Sequence, residues 1–513
     1  MPNWWSSMQA RMQARPLLWL TVIALVPRVV AALFSGGYFA QDDHFLVIEA
    51  AQSWVDGHDY NNWLPWNQGA HPAPTGHTWL YPGLHFLLFK LCTWAGMDDP
   101  SAKMVLVRLL HALWSLVAVR TGYRMARKLA GSATAWHTGL FLALFCWMPF
   151  LSVRNLVEMA SMPAVMLCAW QLMKDGPVPR MRSVVLAGLW AGLAMDIRFQ
   201  TVFFAGGAGL ALLLLKEWRK ALVFGGALLV PVVVVQAGVD LFIWGRPFAE
   251  MTEYVRYNLA NSTTYFDQPW YNYLLVLAGI FIPPFSLAVL FGFFKRPKPL
   301  VAWLPVFAFL FFHSLFPNKQ ERFILTIVPL VFVLGHVEWE RWRTGNAWWQ
   351  RHVGLWRGVL AWTWGINLVV LVGLCFSYSK RERVEAMGLL RGSGVGSLVI
   401  EDSVEGDPPM MPLYYLGRWD VSQIMVTDTA MDVVAAWAGV PTERRPGAVL
   451  FIGTEQLPRR LARMELALGP LRYIGTAQPG LLDRTLHWLN PVNRNETITA
   501  YAIGGGPVIS RAH

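Results

Sequence analysis

Apolar stretches long enough to cross a bilayer recur from residue 17 to residue 377. No other feature limits the fold as strongly. A hydrocarbon core of about 30 Å asks for roughly 20 mostly apolar residues per helix. Segments 17–34, 102–120, 134–152, 157–173, 184–197, 200–215, 221–243, 273–294, 299–316, 323–337 and 357–377 meet or approach that length. They predict an all-α polytopic membrane protein with about 11 transmembrane helices. At 55% hydrophobic and 15% charged residues, the chain is too apolar for an ordinary soluble domain. Arg11 and Arg15 precede the first stretch as they would in a signal peptide. No small-residue cleavage site follows, so that stretch is expected to remain as a span.

The net charge of +11 would suit a nucleic-acid binder, but the cations sit in short clusters between apolar runs. These are Arg120, Arg124, Arg127 and Lys128; Lys174, Arg180 and Arg182; Lys216, Arg219 and Lys220; Lys295, Arg296 and Lys298; and Arg341, Arg343 and Arg351. With the N-terminus inside, every cluster falls on the cytoplasmic side. This requires 79–95 to lie along or dip into the outer face. Two outer segments are then long, 35–101 and 244–272. The tail changes character, with Gly/Pro punctuation and β-like runs such as 397–402 and 448–453. It predicts a small C-terminal soluble α/β domain on the outer face. The expected division is 1–377 membrane catalytic domain and 378–513 extracytoplasmic domain. The four cysteines all lie in apolar stretches and make neither a disulfide framework nor zinc spacing.

Four constellations carry possible chemistry. Gln41-Asp42-Asp43-His44 opens an amphipathic stretch just after the first span. On an α-helix Asp42 and Glu49 share a face, and such acids deprotonate a hydroxyl or simply favour a helix N-terminus. Asn318-Lys319-Gln320-Glu321-Arg322-Phe323 places cations on the outer side, against the positive-inside trend. They suit a phosphate or snorkelling and pairing with Glu321. Asp240 leads through Trp244-Gly245-Arg246 to Tyr257-Asn258, a sugar-stacking loop or an aromatic belt. Arg154 and Glu158 stand at the mouth of a span, as functional groups or as an i,i+4 pair. Arg28 and Arg198 pose the same question. His71, His77 and His85 are expected to pack at the rim rather than bind metal.

In this order, the segments resemble glycosyltransferase family 22. That family contains the dolichol-phosphate-mannose-dependent mannosyltransferases of N-glycan and GPI-anchor assembly and bacterial relatives, with the GT-C fold. Its first outer loop carries an acidic pair, usually Pro-Asp-Glu, similar to Gln41-Asp42-Asp43, then a Glu like Glu49. An Arg-x-x-x-Asn-x-x-Glu-like segment resembles Arg154 to Glu158 in contracted form. A Tyr-Gly loop resembles Trp244-Gly245, with Asp240 and Tyr257-Asn258 in their places. The signature His-Lys-Glu-Glu-Arg-Phe resembles residues 318–323, with Asn318 for the His and Gln320 for a Glu, while His313 and Ser314 also match. The resemblance covers about 17–340 and leaves the tail without a counterpart.

The resemblance implies an inverting transferase that takes a sugar, mannose first, from a polyprenyl-phosphate donor. The acceptor would be a hydroxyl of a lipid-linked glycan or another outer-face molecule. Asp42 is expected to be the base, with Asp43 second. Lys319 and Arg322 are expected to stabilise phosphate charge. Glu321, Arg28, Glu49, Arg154, Glu158, Arg198, Asp240, Tyr257, Asn258 and His313 complete the expected substrate site. No cofactor is called for, and a divalent metal stays open. The expected location is a bacterial cytoplasmic membrane with the site facing out, or the ER lumen in a eukaryote. Rival readings are protein O-mannosyl or arabinosyl transfer, or a lipid or glycan transporter. A transporter would place its ionisable groups near the midplane.

Overall fold

The computed structural model describes residues 12, 14–264, 266–402, 409–427, 445–490 and 494–504. The chain forms two compact units. One comprises 1–33, 62–84 and 106–375; the other gathers 34–61, 85–105 and 376–513.

The first unit is helical. Among the described residues four helices are long and apolar enough to cross a membrane: Pro16–Phe34, Pro100–Leu144, Trp218–Trp244 and Val353–Cys375. Phe285–Lys295 and Leu300–Leu315, bent by 116°, make a fifth if counted as one span. Helices also stand where the other apolar stretches predict them, at Val157–Met173, Met181–Ile197, Val202–Leu214 and Val328–Gly345, the first three under 18 residues long. A sequence period finds such helices but does not decide which of the shorter ones cross.

Four expected spans differ in outline. Segment 102–120 and the first part of 134–152 belong to one element, Pro100–Leu144, kinked at Gly131 with φ 83°, and Trp147–Ser152 is a separate short helix. The long element stops at Leu144 because Asn367 takes over its end. The Asn367 amide donates to Leu144 O at 2.9 Å and its carbonyl accepts from Cys146 N at 2.7 Å. Segment 273–294 is broken into Asn272–Ile280 and Phe285–Lys295, since Pro283 and Pro284 bring no N–H to continue the ladder. Segment 323–337 begins as a short 3₁₀ turn at Glu321–Ile324 and turns α-helical only at Val328. Small residues let two of these helices touch: a Cβ on Gly292 would lie 2.0 Å from Gly335 O.

Among the described residues of the second unit a five-stranded sheet runs in the order β2-β1-β3-β5-β4. The strands are β1 Ser397–Asp402, β2 Ser422–Val426, β3 Ala448–Ile452, β4 Leu471–Ala477 and β5 Ile498–Ile503. β1 pairs in parallel with β2 and β3, and β5 is antiparallel to β3 and β4. β3 is buried throughout and β1 from Leu398 on, so both read as continuous apolar runs. Met464 and Leu468 of helix Leu457–Leu468 close the core against Val399, Val449 and Phe451. The tail does not build this unit alone. Ser35 Oγ donates to Ser377 O at 2.9 Å, and Ser379 N donates to Gly36 O at 3.2 Å. Gly37 takes φ +70°, and a Cβ there would fall 1.7 Å from Ser379 O.

Candidate active site

The helical unit brings four of the expected residues into one polar group. Glu158 lies in the first turn of Val157–Met173, and Arg198 follows the end of Met181–Ile197. Arg198 Nη2 approaches Glu158 Oε1 at 3.5 Å, both side chains being buried. Arg198 Nη1 donates to Phe323 O at 2.7 Å and to Thr326 Oγ1 at 3.1 Å, and its other nitrogen meets Gln200. The guanidinium lies over the rings of Phe309 and Phe323. His313 stacks on Phe309 at 4.0 Å, donates from Nδ1 to Phe309 O, and turns Nε2 toward Gln200 at 3.4 Å. Arg322 is half-buried, with Nε donating to Gln320 at 2.8 Å. Tyr254 joins the group: burial pushes its hydroxyl up to about 12, against the pull of the Arg198 and Arg322 charges and of Gln200.

Gln200, Tyr254 and Thr326 were not expected. Gln200 is a polar residue opening an apolar helix, which is a readable signal. Tyr254 and Thr326 carry none, because only tertiary packing puts them there. Glu321 is exposed beside Arg322.

Other expected residues do different work. Lys319 donates to three backbone carbonyls, Gln268 O at 2.7 Å, Phe316 O at 2.5 Å and Pro317 O at 3.4 Å. An ammonium has three donors, so it staples loop 266–268 to 316–319 rather than facing a phosphate. Burial holds its pKa below the ordinary lysine value, opposed by Asp267. Arg28 is buried and spends its guanidinium on Ser115 Oγ and on Ala24, Leu142 and Ala143 carbonyls. It fastens the first helix to the end of Pro100–Leu144. Asp240 accepts from Trp79 Nε1 at 2.7 Å, Gln236 Nε2 at 3.1 Å and Glu250 N at 3.3 Å. Glu250 in turn accepts from Gly76 N at 2.5 Å, His77 N at 3.1 Å and Trp244 Nε1 at 2.8 Å. This carboxylate pair latches loop 75–79, and no motif announced it. Arg154 is buried over Phe150 and lies outside the helix that begins at Val157, so the i,i+4 geometry expected with Glu158 does not arise. Tyr257 is exposed, and Asn258 donates back to Tyr254 O within its own helix.

The acidic segment belongs to the second unit. Its winding is not the expected α-helix: Gln41–Asp43 is α, His44–Glu49 is π and Ala50–Val55 is α again. The wider π turn breaks the seven-residue face. Asp42 is exposed, Asp43 is 3% exposed and Glu49 is fully buried. Glu49 Oε1 faces His44 Nε2 at 3.5 Å and accepts from Tyr414 N at 2.9 Å. Burial pushes the Glu49 carboxyl above the ordinary range, opposed by His44 and Tyr414 N. Among the described residues no three His, Cys, Asp or Glu side chains group as a metal site.

A model of the Alg9-like mannosyltransferase family matches residues 19–388. Mannosyltransferase APTG1 of Arabidopsis thaliana is 24% identical over 331 residues, 61% of this chain and 57% of its own length. GPI mannosyltransferase 3 of Yarrowia lipolytica is 25% identical over 336 residues, 61% of this chain and 60% of its own. The chain thus spans under two thirds of the length of these relatives. The fold resembles that of ArnT from Cupriavidus metallidurans bound to undecaprenyl phosphate, with TM-score 0.62 at 13% identity over 94% of this chain and 97% of that one.

Proposed function

The chain belongs to the Alg9-like mannosyltransferase family, an integral membrane family, and from that premise we propose an inverting glycosyltransferase. It moves a sugar, mannose first, from a polyprenyl-phosphate donor to an acceptor hydroxyl on the extracytoplasmic face. The observation that carries this reading is the grouping of Arg198, Arg322, Glu158, Gln200 and Tyr254 into one polar cluster, with Glu158 and Arg198 at helix ends. A transporter would gather such groups at midplane. The donor class draws support from the ArnT fold neighbour, whose structure holds undecaprenyl phosphate.

Roles are assigned residue by residue. Asp42, exposed and on the first outer segment, takes the acceptor proton as the oxygen attacks the anomeric carbon. The carbon–oxygen bond to phosphate breaks as the new one forms on the opposite face, so configuration inverts. The leaving group is already a phosphate, and no acid carboxyl is needed, unlike a glycosidase. Arg322 receives the phosphate charge, with Arg198 behind it. The role first given to Lys319 passes to these two. About 11 crossings with the N-terminus inside complete the proposed topology.

The test is release of polyprenyl phosphate by purified protein supplied with polyprenyl-phosphate mannose and lipid-linked glycan acceptors. Transfer with inverted configuration is expected. Use of a nucleotide sugar in place of the lipid donor, or sugar-independent lipid transport in vesicles, defeats the proposal.

A further inference from the structure

Asp42 stands in the first turn of a helical run that is α at Gln41–Asp43, π at His44–Glu49 and α again at Ala50–Val55. The end of a helix frays unless something ties it down. A general base must nevertheless stand within hydrogen-bond reach of the proton it removes. The order has to come from elsewhere, and within the second unit it comes from the tail.

His44 is fully buried and stacks with two aromatic rings. Tyr38 stacks on it at 4.4 Å and 14°, and Tyr415 at 5.7 Å and 9°. Tyr414 meets the same imidazole edge-on, and its backbone N–H is the 2.9 Å donor to Glu49. A second tie follows one turn later. Lys103 Nζ donates to Gln52 Oε1 at 3.0 Å, and Gln52 Nε2 donates to Asp56 Oδ1 at 2.9 Å. Asp56 Oδ2 accepts from Trp419 Nε1 at 2.7 Å. Every tail residue here lies between Leu413 and Trp419, beyond the stretch matched by the family model, which ends at 388. The π winding of His44–Glu49 is a form that side-chain packing must impose, since backbone preference favours α.

We infer that the C-terminal tail is the positioning scaffold of the acidic segment: Tyr414, Tyr415 and Trp419 fix His44, Glu49 and Asp56, and through them the backbone that carries Asp42. Tyr415 is the positioning residue whose ring stacks on His44, two positions from Asp42. The inference rests on Asp42 as base.

The experiment compares Tyr415→Ala, Tyr415→Phe and Trp419→Phe in the full chain, with transfer kinetics and amide hydrogen exchange. A displaced base costs about 10²-fold, so Tyr415→Ala should lose about that much kcat with the donor KM within twofold. Exchange should rise at 41–55 and stay unchanged in β3. Tyr415→Phe keeps the stack and should recover most of the rate. Trp419→Phe keeps a ring and loses only the bond to Asp56. It should fall about tenfold in kcat, and it carries the test if Tyr415→Ala does not fold. Unchanged exchange at 41–55 in both Tyr415→Ala and Trp419→Phe overturns the scaffold. So does raised exchange with kcat within twofold of the parent. If the parent transfers no sugar yet exchange rises at 41–55, the functional proposal falls and the scaffold stands.

Discussion

Arg198 Nη2 lies 3.5 Å from Glu158 Oε1, with both side chains buried, so each charge depends on the other to be tolerated. Removing one partner of such a pair typically costs about 3–5 kcal/mol, because the survivor is left uncompensated. Glu158→Ala should therefore lower the melting temperature of the solubilised protein sharply. The double variant Glu158→Met/Arg198→Met should be less destabilised than the sum of its single changes, and inactive. A double variant as unstable as that sum means the two residues are not coupled.

Arg322 and Lys319 stand three positions apart but should answer differently to truncation. Arg322 is half-buried beside Gln320, and a charged hydrogen bond to phosphate is worth about 1.5–3 kcal/mol. Arg322→Ala should lose about 10- to 150-fold in kcat/KM for donor with little change in melting temperature. Lys319→Ala orphans the carbonyls of Gln268, Phe316 and Pro317, so its main effect should be on stability. Steady-state kinetics and thermal melts on the same preparations check the contrast; equal loss of donor use from both would restore Lys319 to the site.

Glu250 gives a pH signature. Burial raises its carboxyl pKa, with Asp240 adding to the effect and the His77 and Gly76 amides opposing it. The folded chain then holds a proton that the unfolded chain has released. Stability falls as pH rises from the ordinary carboxylate range through the raised value. Glu250→Gln keeps an acceptor for those amides and cannot ionise, so it should flatten this slope. Melting temperatures of parent and variant across pH 4 to 8 read it directly, and parallel slopes would remove Glu250 as the source.

Much of this was legible because hydropathy records what the lipid demands. Apolar runs placed helices at 157–173 and 202–214 with little error, since every backbone group in a bilayer must be paired within the helix. The breaks were not legible. Asn367 interrupts a helix more than 200 residues away in sequence, and no local pattern reports that. The polar cluster proposed as the site was half legible. Arg198, Glu158 and Arg322 stood out as charges at the ends of apolar runs. Arg28 and Lys319 stood out equally and proved to be staples, because charge in an apolar setting marks cost, not purpose. The acidic segment misled for a third reason: a seven-residue spacing assumes 3.6 residues per turn, and His44–Glu49 is wound more widely.

That winding sharpens the prediction for the two aspartates. Asp42 is exposed, so Asp42→Asn should express and fold like the parent. Asn keeps the shape and the hydrogen bonds but takes up no proton, and loss of a general base typically costs about 10²–10⁴-fold in rate. Donor binding should persist, because the cations assigned to the phosphate are untouched. Asp43 is almost completely buried and already has interactions within the fold. Asp43→Asn should therefore show its effect first as a lower melting temperature, with kcat falling less than in Asp42→Asn. Transfer rate and melting temperature measured on both variants separate the roles. A fully active Asp42→Asn with an inactive, well-folded Asp43→Asn would move the base by one residue. Near-normal transfer by the double Asn variant would end the case for a carboxylate base in this segment.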